Sequence, residues 1–195
     1  MKKHLFLTGP SGASKSTIIE QALGDRLAYA GGFITRRNSS PEAKVLSYDL
    51  MPAAAACGMP GFQCWKFLDY SGAKAVKDNE VFRVHGTQLL SEAAYYPFVV
   101  LDEIGGFELL IPQFRKALED LLNSDVPIIG VLKGADNAAQ LRKSLGLTER
   151  YTMIADNLRK VLAQDEDTIL LEVKKQGDTV AQNIARAWCQ EYAGT

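Results

Sequence analysis

The segment from His4 to Thr17, which reads HLFLTGPSGASKST, constrains the fold of this chain more than any other. Residues 5–7 are apolar and suit a short buried strand, the chain then breaks at Gly9-Pro10, and residues 16–23 are compatible with a helix. Gly9, four further residues and then Ser14-Lys15-Ser16 nearly match the phosphate loop, or Walker A motif, G-x-x-x-x-G-K-[ST]. The sequence therefore predicts a strand, a phosphate-binding loop and a helix in succession. An ordinary glycine and serine turn is the alternative interpretation.

Each position of this loop has a chemical role in holding a triphosphate. Small residues let successive backbone N–H groups point inward around phosphate oxygens, and the N-terminus of the following helix adds donors and partial positive charge. Lys15 is predicted to reach the β- and γ-phosphates as a catalytic residue, and the Ser16 hydroxyl is predicted to bind Mg²⁺. The predicted nucleotide-binding residues are Gly9, Pro10, Ser11, Gly12, Ala13, Ser14, Lys15, Ser16 and Thr17.

Ser14 is the position at which this loop departs from the motif, which has glycine there. Glycine leaves the backbone free to approach the phosphates, whereas serine adds a Cβ and a hydroxyl. The hydroxyl either donates to a phosphate oxygen or leaves the loop slightly open. We expect the open loop, because a displaced backbone costs about 1–3 kcal/mol and one solvent-competing contact returns about 0.5–1.5 kcal/mol.

Length, composition and charge are those of an ordinary globular protein. The 195 residues are expected to form one domain, 1–195, and the hydrophobic content of 47% is enough for a large core. A net charge of −1 gives no field that would attract nucleic acid or an anionic membrane, so neither is indicated as a partner. No segment has the ~18 apolar residues of a membrane span, and none resembles a signal peptide. We expect a cytoplasmic protein, and the sequence identifies no protein partner.

The cysteines and histidines do not indicate a metal centre. Cys57, Cys64 and Cys189 lack the spacing of metal ligands, and their odd number fits no disulfide framework, so free thiols are expected. His4 and His85 are the only histidines, and a zinc site would have to combine residues scattered along the chain.

Alternating strand and helix patterns predict an α/β fold with a mostly parallel central sheet and helices on both faces. Besides the first strand and helix, strands are expected at 29–35, 44–50, 62–68, 98–103, 127–132 and 168–173. Further helices are expected at 87–95, 111–122 and 135–145 and from residue 178 onward. The region around residues 28–70 is predicted to be a β-rich elaboration of the sheet rather than a separate domain.

The remaining segments carry weaker patterns. Residues 38–41 are predicted to form a turn, residues 51–61 are compatible with either a short helix or a loop, and residues 74–84 are predicted to loop over the surface. In the last helix Val180, Ile184 and Trp188 share one stripe, which is predicted to pack into the core.

Two carboxylates follow the apolar residues 98–101, at the predicted end of a strand. Asp102 matches the Walker B motif, whose aspartate binds Mg²⁺ directly or through water. Because the carboxyl ends of strands in a doubly wound sheet open on one edge, Asp102 is expected to lie near the phosphate loop. Glu103 is placed to polarise a water in line with the γ-phosphate and is the predicted general base. A salt-bridged or solvated loop residue is the alternative interpretation of Glu103.

The run 102–109, DEIGGFEL, resembles the D-E-I-G-x-[MF]-E-L signature of the nucleoside-triphosphatase family of the thermophile and cancer-related type. The phosphate loop, the segment 32–35 (GFIT, for G-F-Y-T) and the segment 82–86 (FRVHG) fall in that family's order, so the resemblance covers the first two thirds of the chain. The resemblance implies a three-layer, RecA-like P-loop fold. It also implies Mg²⁺-dependent hydrolysis of ATP, GTP and other nucleoside triphosphates, with loose base selectivity. Arg36-Arg37 differ from the acidic residues that the family commonly has there.

Several basic residues are candidates for a further role in the reaction. Arg36, Arg37 and Arg83 are candidates for an arginine that stabilises transition-state charge, and Lys133 could also approach the phosphates, although surface solvation is the commoner role for each. Two other functions are also compatible with the sequence. One is a small-molecule kinase, and the other is a weakly active or inactive nucleotide-binding module, which the serine at position 14 would favour.

Overall fold

The computed structural model describes residues 1–42, 44–57, 61 and 63–194, and these residues are arranged around one eight-stranded sheet. Its strands are His4–Thr8 (β1), Gly31–Ser39 (β2), Val45–Pro52 (β3), Trp65–Asp69 (β4), Val76–Lys77 (β5), Val99–Ile104 (β6), Ile128–Leu132 (β7) and Thr168–Glu172 (β8). Their order across the sheet is β5-β4-β3-β2-β6-β7-β1-β8.

The helices connect and cover these strands. They are Lys15–Leu23 (α1), Asn79–Val81 (α2), Thr87–Ala93 (α3), Pro112–Leu122 (α4), Ala135–Leu145 (α5), Glu149–Gln164 (α6) and Thr179–Tyr192 (α7). A π-helical segment, Phe82–Gly86, joins α2 to α3. Short 3₁₀ helices lie at Gly24–Tyr29, Ala53–Cys57 and Phe107–Leu110.

Five neighbouring strands, β2, β6, β7, β1 and β8, run parallel and form the centre of the fold. Successive side chains of a strand point to opposite faces. Accordingly, Phe6 packs on the face covered by α3, α4 and α6, while Leu5 and Leu7 pack on the face covered by α1 and α7. The predicted three-layer α/β fold is therefore confirmed, and the buried strands have the continuous apolar sequences that parallel sheets require. Strands β3, β4 and β5 extend the sheet from β2 in antiparallel fashion.

The prediction of a surface loop at residues 74–84 is wrong. This segment contains β5, α2 and the start of the π-helical segment, and Val81 and Phe82 are buried. The Phe82 ring makes edge-on contacts with the rings of Phe67, Phe107 and Phe114 at centroid distances of 4.8, 5.6 and 5.4 Å. Such edge-to-face pairs stabilise a core beyond the area that they bury, so the buried ring of Phe82 anchors this segment.

Other expectations also need correction. The turn at 38–41 is wrong in part, because β2 continues through Ser39 and pairs with Val45 across the hairpin. The strand expected at 62–68 begins at Trp65, and residue 62 lies outside the described residues, as do residues 58–60 of the ambiguous segment. The helical alternative for that segment is observed in part, as the 3₁₀ helix Ala53–Cys57.

The C-terminal third differs most from expectation. Helix α6 is absent from the predicted elements, although it is 16 residues long and buries Tyr151, Ala155 and Leu162 along one side. In α7 the predicted core position of Val180 is wrong, since its side chain is 61% exposed. The face that packs into the core consists of Ala181, Ala185, Trp188 and Cys189.

Cys64 is exposed and Cys189 is buried, and both are free thiols as expected, whereas the expectation for Cys57 concerns a side chain outside the described structure. Across the described ranges 1–42, 44–57, 61 and 63–194, no helix has the length and apolar character needed to cross a membrane.

Candidate active site

The predicted phosphate loop lies between β1 and α1, at the carboxyl edge of the sheet. Gly9 has φ +129°, and a Cβ there would collide with the carbonyl oxygen of Val173, so only glycine fits this position. The loop ends at Ser14, which caps α1 with φ 63° and ψ 32°. This left-handed conformation is one that residues other than glycine rarely adopt. The serine therefore takes the backbone shape for which the motif uses glycine, and its side chain makes no hydrogen bond that caps the helix.

Ser14→Gly is expected to tighten triphosphate binding by a few-fold to about thirtyfold, because glycine removes the steric cost of a Cβ in this turn. Titration calorimetry of both proteins at the same Mg²⁺ and salt concentrations measures the difference. If Ser14→Gly binds more weakly than the parent, the hydroxyl is a phosphate ligand and the expectation of a slightly open loop is wrong.

Lys15 is held inside the loop by backbone carbonyls. Its Nζ donates to the carbonyl oxygens of Gly9 at 3.1 Å and Pro10 at 2.8 Å, and the residue is only 7% exposed. Burial lowers the pKa of this ammonium, an effect that the nearby carboxylate of Glu103 opposes. A further donor, Asn137 Nδ2, reaches the Gly9 carbonyl at 3.3 Å. The loop thus presents one fixed positive charge to the space that it encloses.

Ser16 and Asp102 form the next part of the site. The Ser16 Oγ donates to Oδ1 of Asp102 at 3.0 Å, which joins the first turn of α1 to the end of β6. Within the described residues, no cluster of three or more His, Cys, Asp or Glu side chains could hold a metal ion. Two hard oxygen donors fit Mg²⁺, which typically takes one or two protein oxygens and completes its shell with phosphates and water. The pair therefore suits a metal that enters together with a nucleotide.

Asp102 is almost completely buried, with 5% exposure. Burial, together with the negative charges of Glu103 and Glu20, raises the pKa of its carboxyl to about 7 despite the hydrogen bond from Ser16. The folded protein thus holds this proton more tightly than the unfolded chain does. The resulting stabilisation is complete below about pH 4 and is lost as the pH rises through 7.

Asp102→Asn is therefore expected to raise the free energy of unfolding at pH 8 by about 2–4 kcal/mol and to have little effect at pH 4, because the amide never ionises. Urea denaturation at both pH values, with EDTA and no nucleotide, measures this difference. The matched control is Asp120→Asn, which makes the same change on the exposed side of α4, outside the cavity that Asp102 lines. Equal effects of Asp102→Asn at the two pH values would contradict the prediction.

Glu103, at the end of β6, forms an ion pair with Lys133. Its Oε2 accepts a hydrogen bond from the ammonium of Lys133, which follows β7, and the two side chains are 24% and 19% exposed. Burial alone would lower the pKa of Lys133, but the charge and hydrogen bond of Glu103, together with the negative charge of Glu108 and a smaller contribution from Tyr48, raise the pKa above its usual value. Lys133 is therefore charged at neutral pH, and the salt-bridged alternative for Glu103 is the arrangement observed.

The loop that follows Glu103 is fixed by two side chains that sequence reasoning did not single out as functional. Oε1 of Glu108, a 4% exposed residue, accepts from the backbone N–H groups of Gly105 at 2.8 Å and Gly106 at 2.7 Å. The hydroxyl of Tyr151 in α6 donates to the Gly105 carbonyl at 2.8 Å. Glu108 lies within the family-like run, which was a signal for it, whereas Tyr151 lies in a helix that was not predicted.

A cavity of about 1180 Å³ joins these parts of the site. The predicted site residues that line it are Ser11, Gly12, Ser14, Lys15, Ser16, Thr17, Asp102 and Glu103. Of the predicted nucleotide-binding residues, Gly9, Pro10 and Ala13 do not line it, and Ala13 is buried under the loop.

The basic candidates divide into two groups. Arg36, Arg37 and Lys133 line the cavity, so each remains a candidate for contact with the phosphates. Arg83 lies elsewhere, paired with Glu80 on the exposed side of the π-helical segment.

Comparison with known proteins identifies the family of this chain. The model of the NTPase family matches residues 4–169. The nucleoside-triphosphatase THEP1 of Thermococcus kodakarensis is 27% identical over 139 residues, which cover 68% of this chain and 77% of that protein.

Two solved structures share the fold. THEP1 from the hyperthermophile Aquifex aeolicus has a TM-score of 0.63 and 15% identity, covering 93% of this chain and 95% of its own. A human cancer-related nucleoside triphosphatase has a TM-score of 0.50 and 16% identity, covering 84% of this chain and 100% of its own. The P-loop fold and the resemblance noted in the sequence are thereby confirmed. Because the family model spans most of its length, the chain belongs to the NTPase family and is a nucleoside-triphosphate hydrolase.

Proposed function

We propose that this chain hydrolyses nucleoside 5′-triphosphates to diphosphate and phosphate in a Mg²⁺-dependent reaction that tolerates different bases. The observation that carries the proposal is the meeting of Lys15, the Ser16–Asp102 pair and Glu103 around one cavity. These groups supply a phosphate-binding charge, two metal-compatible oxygens and a carboxylate for proton transfer, which are the parts that triphosphate hydrolysis requires.

The phosphate loop and the first turn of α1 bind the triphosphate. Phosphate oxygens accept from loop N–H groups, and Lys15 exchanges its contacts with the carbonyls of Gly9 and Pro10 for the β- and γ-phosphates. Charge-assisted hydrogen bonds to phosphate are stronger than those to neutral carbonyls, so this exchange is favourable. Ser16 and Asp102 would hold Mg²⁺, which when bound neutralises charge on the phosphate oxygens.

Glu103 is the general base in the chemical step. Its carboxylate accepts a proton from a water molecule as the water oxygen bonds to the γ-phosphorus, while the bond from that phosphorus to the β,γ-bridging oxygen breaks. The nucleoside diphosphate leaves with the bridging oxygen and its electron pair, and Glu103 returns the proton to solvent. Positioning by Glu108 and Tyr151 keeps the loop after Glu103 in a fixed place during this step.

Phosphate release from ATP, GTP, CTP and UTP tests the proposal, and we expect rates within about tenfold of one another, or ~1.4 kcal/mol in transition-state binding. The name of the Thermococcus relative specifies nucleoside triphosphates rather than one base, which supports broad tolerance. EDTA is expected to abolish the activity. If none of the four nucleotides releases phosphate, the proposed hydrolysis is wrong. A strong preference for one base would contradict the proposed tolerance of different bases. Phosphate transfer only to an added acceptor would indicate a kinase.

We also propose that the protein works in the cytoplasm. The support is the free, exposed thiol of Cys64, since such thiols persist in reducing compartments.

A further inference from the structure

The ion pair between Glu103 and Lys133 raises a question about the proposed reaction. In this structure the Glu103 carboxylate accepts from the Lys133 ammonium, whereas a general base has to accept from water. The pair occupies one of the two carboxylate oxygens of Glu103, and moving Lys133 away would leave both oxygens for water. A group that opens it has to compete with a carboxylate for an ammonium, and a phosphate oxygen is able to do so.

The backbone of Lys133 is held by two hydrogen bonds, so a change of partner would involve only its side chain. Its N–H donates to the carbonyl of Ile104 at 2.9 Å, which ties it to the strand that carries Asp102 and Glu103. Its carbonyl accepts from the guanidinium of Arg159 in α6 at 3.4 Å. From this fixed position a flexible four-carbon stem carries three rotatable donors, which suits a lysine that changes partners.

The charges in the cavity favour an additional negative group beside this lysine. Lys15 and Lys133 line the same cavity, so two ammonium groups belong to one site. Glu103 is the carboxylate that pairs with Lys133. An anion between the two ammonium groups would relieve their repulsion, and a γ-phosphate held by Lys15 would bring one there.

We propose that Lys133 recognises the third phosphate of a bound triphosphate, and that its ammonium moves from the Glu103 carboxylate to a γ-phosphate oxygen. This inference rests on the proposed function and deepens it. With a diphosphate the lysine has no such partner, so it stays on Glu103. Lys133 therefore selects triphosphate over diphosphate, and the same movement leaves Glu103 free to accept a proton from water.

Calorimetry with two Mg²⁺-bound probes tests this inference, namely the β,γ-imido analogue of ATP and ADP. Lys133→Met is expected to weaken binding of the analogue by about tenfold or more, because one charge-assisted contact is lost. Binding of ADP is expected to change by less than about twofold. Lys116→Met is the matched control, since it removes an ammonium that pairs with Asp120 on an exposed helix surface away from the cavity, and we expect it to change neither affinity. Lys133→Gln serves as a second variant if the methionine protein does not fold.

The outcomes separate this inference from the proposed function. A selective loss of affinity for the triphosphate analogue supports the role of Lys133. Equal losses for both probes, or no change for either, overturn it while leaving the hydrolysis proposal intact if the parent protein still releases phosphate. A parent protein that binds neither probe and releases no phosphate overturns the proposed function itself.

Discussion

Glu103→Gln is expected to lower the rate of triphosphate hydrolysis by about 10²–10⁴-fold, the range typical for loss of a general base. The amide has nearly the size of the carboxylate and still accepts a hydrogen bond from Lys133, but it cannot take a proton from water. Triphosphate affinity is not expected to fall, because Glu103 is not a phosphate ligand in the proposed reaction. Phosphate release at saturating nucleotide, combined with calorimetric binding, measures both effects.

A matched control for this variant is Glu119→Gln, which makes the same change on the exposed surface of α4 and is expected to keep the parental rate. Asp102→Asn provides a contrast, because we expect it to weaken the response to Mg²⁺ instead. Equal losses of affinity and turnover in Glu103→Gln would assign Glu103 to structure or to metal binding rather than to proton transfer.

Lys15→Ala is expected to weaken triphosphate binding by about 10–100-fold, since a charge-assisted contact is worth about 1.5–3 kcal/mol. The substitution also leaves the carbonyls of Gly9 and Pro10 without the donor that they have in the parent protein. Calorimetry measures the loss of affinity, and circular dichroism shows whether the fold is kept.

Lys160→Ala is the control for this second variant, because Lys160 is an exposed residue of α6 that does not line the cavity. It is expected to bind triphosphate as the parent does. An unchanged affinity in Lys15→Ala would mean that the loop from Gly9 to Ser14 is not the phosphate-binding element.

The parts of the fold that could be predicted from sequence are those specified by neighbouring residues. The phosphate-loop segment combines an apolar strand, a glycine-rich break and a helix start within 14 residues, from His4 to Thr17. The buried strand before Asp102 has the same local character. The topology then places both at one edge of the sheet, so the meeting of Ser16 with Asp102 follows from two local patterns and a general rule.

What could not be predicted depends on contacts between distant positions. Half of the residues of helix α6 are polar, and its few buried residues become a core face only when the helix packs beside the 3₁₀ helix Phe107–Leu110 and strand β8. The hydrogen bond from Tyr151 to Gly105 joins residues 46 positions apart, and the pair of Glu103 with Lys133 joins residues 30 apart. No local pattern encodes either partner, because each depends on the tertiary arrangement.

The place of β1 in the sheet has a consequence for how the protein is made. Strand β1 pairs with β7 on one side and β8 on the other, and residue 173, just beyond β8, bonds through its N–H to the Thr8 carbonyl. During synthesis β1 thus leaves the ribosome long before β8, and it is enclosed on both sides only after β8 has followed. Such distant pairing makes folding slow and leaves the early strand's edges open meanwhile. The growing polypeptide accordingly carries its phosphate-loop sequence long before β8 is made, yet gains a braced loop only after β8 has joined β1.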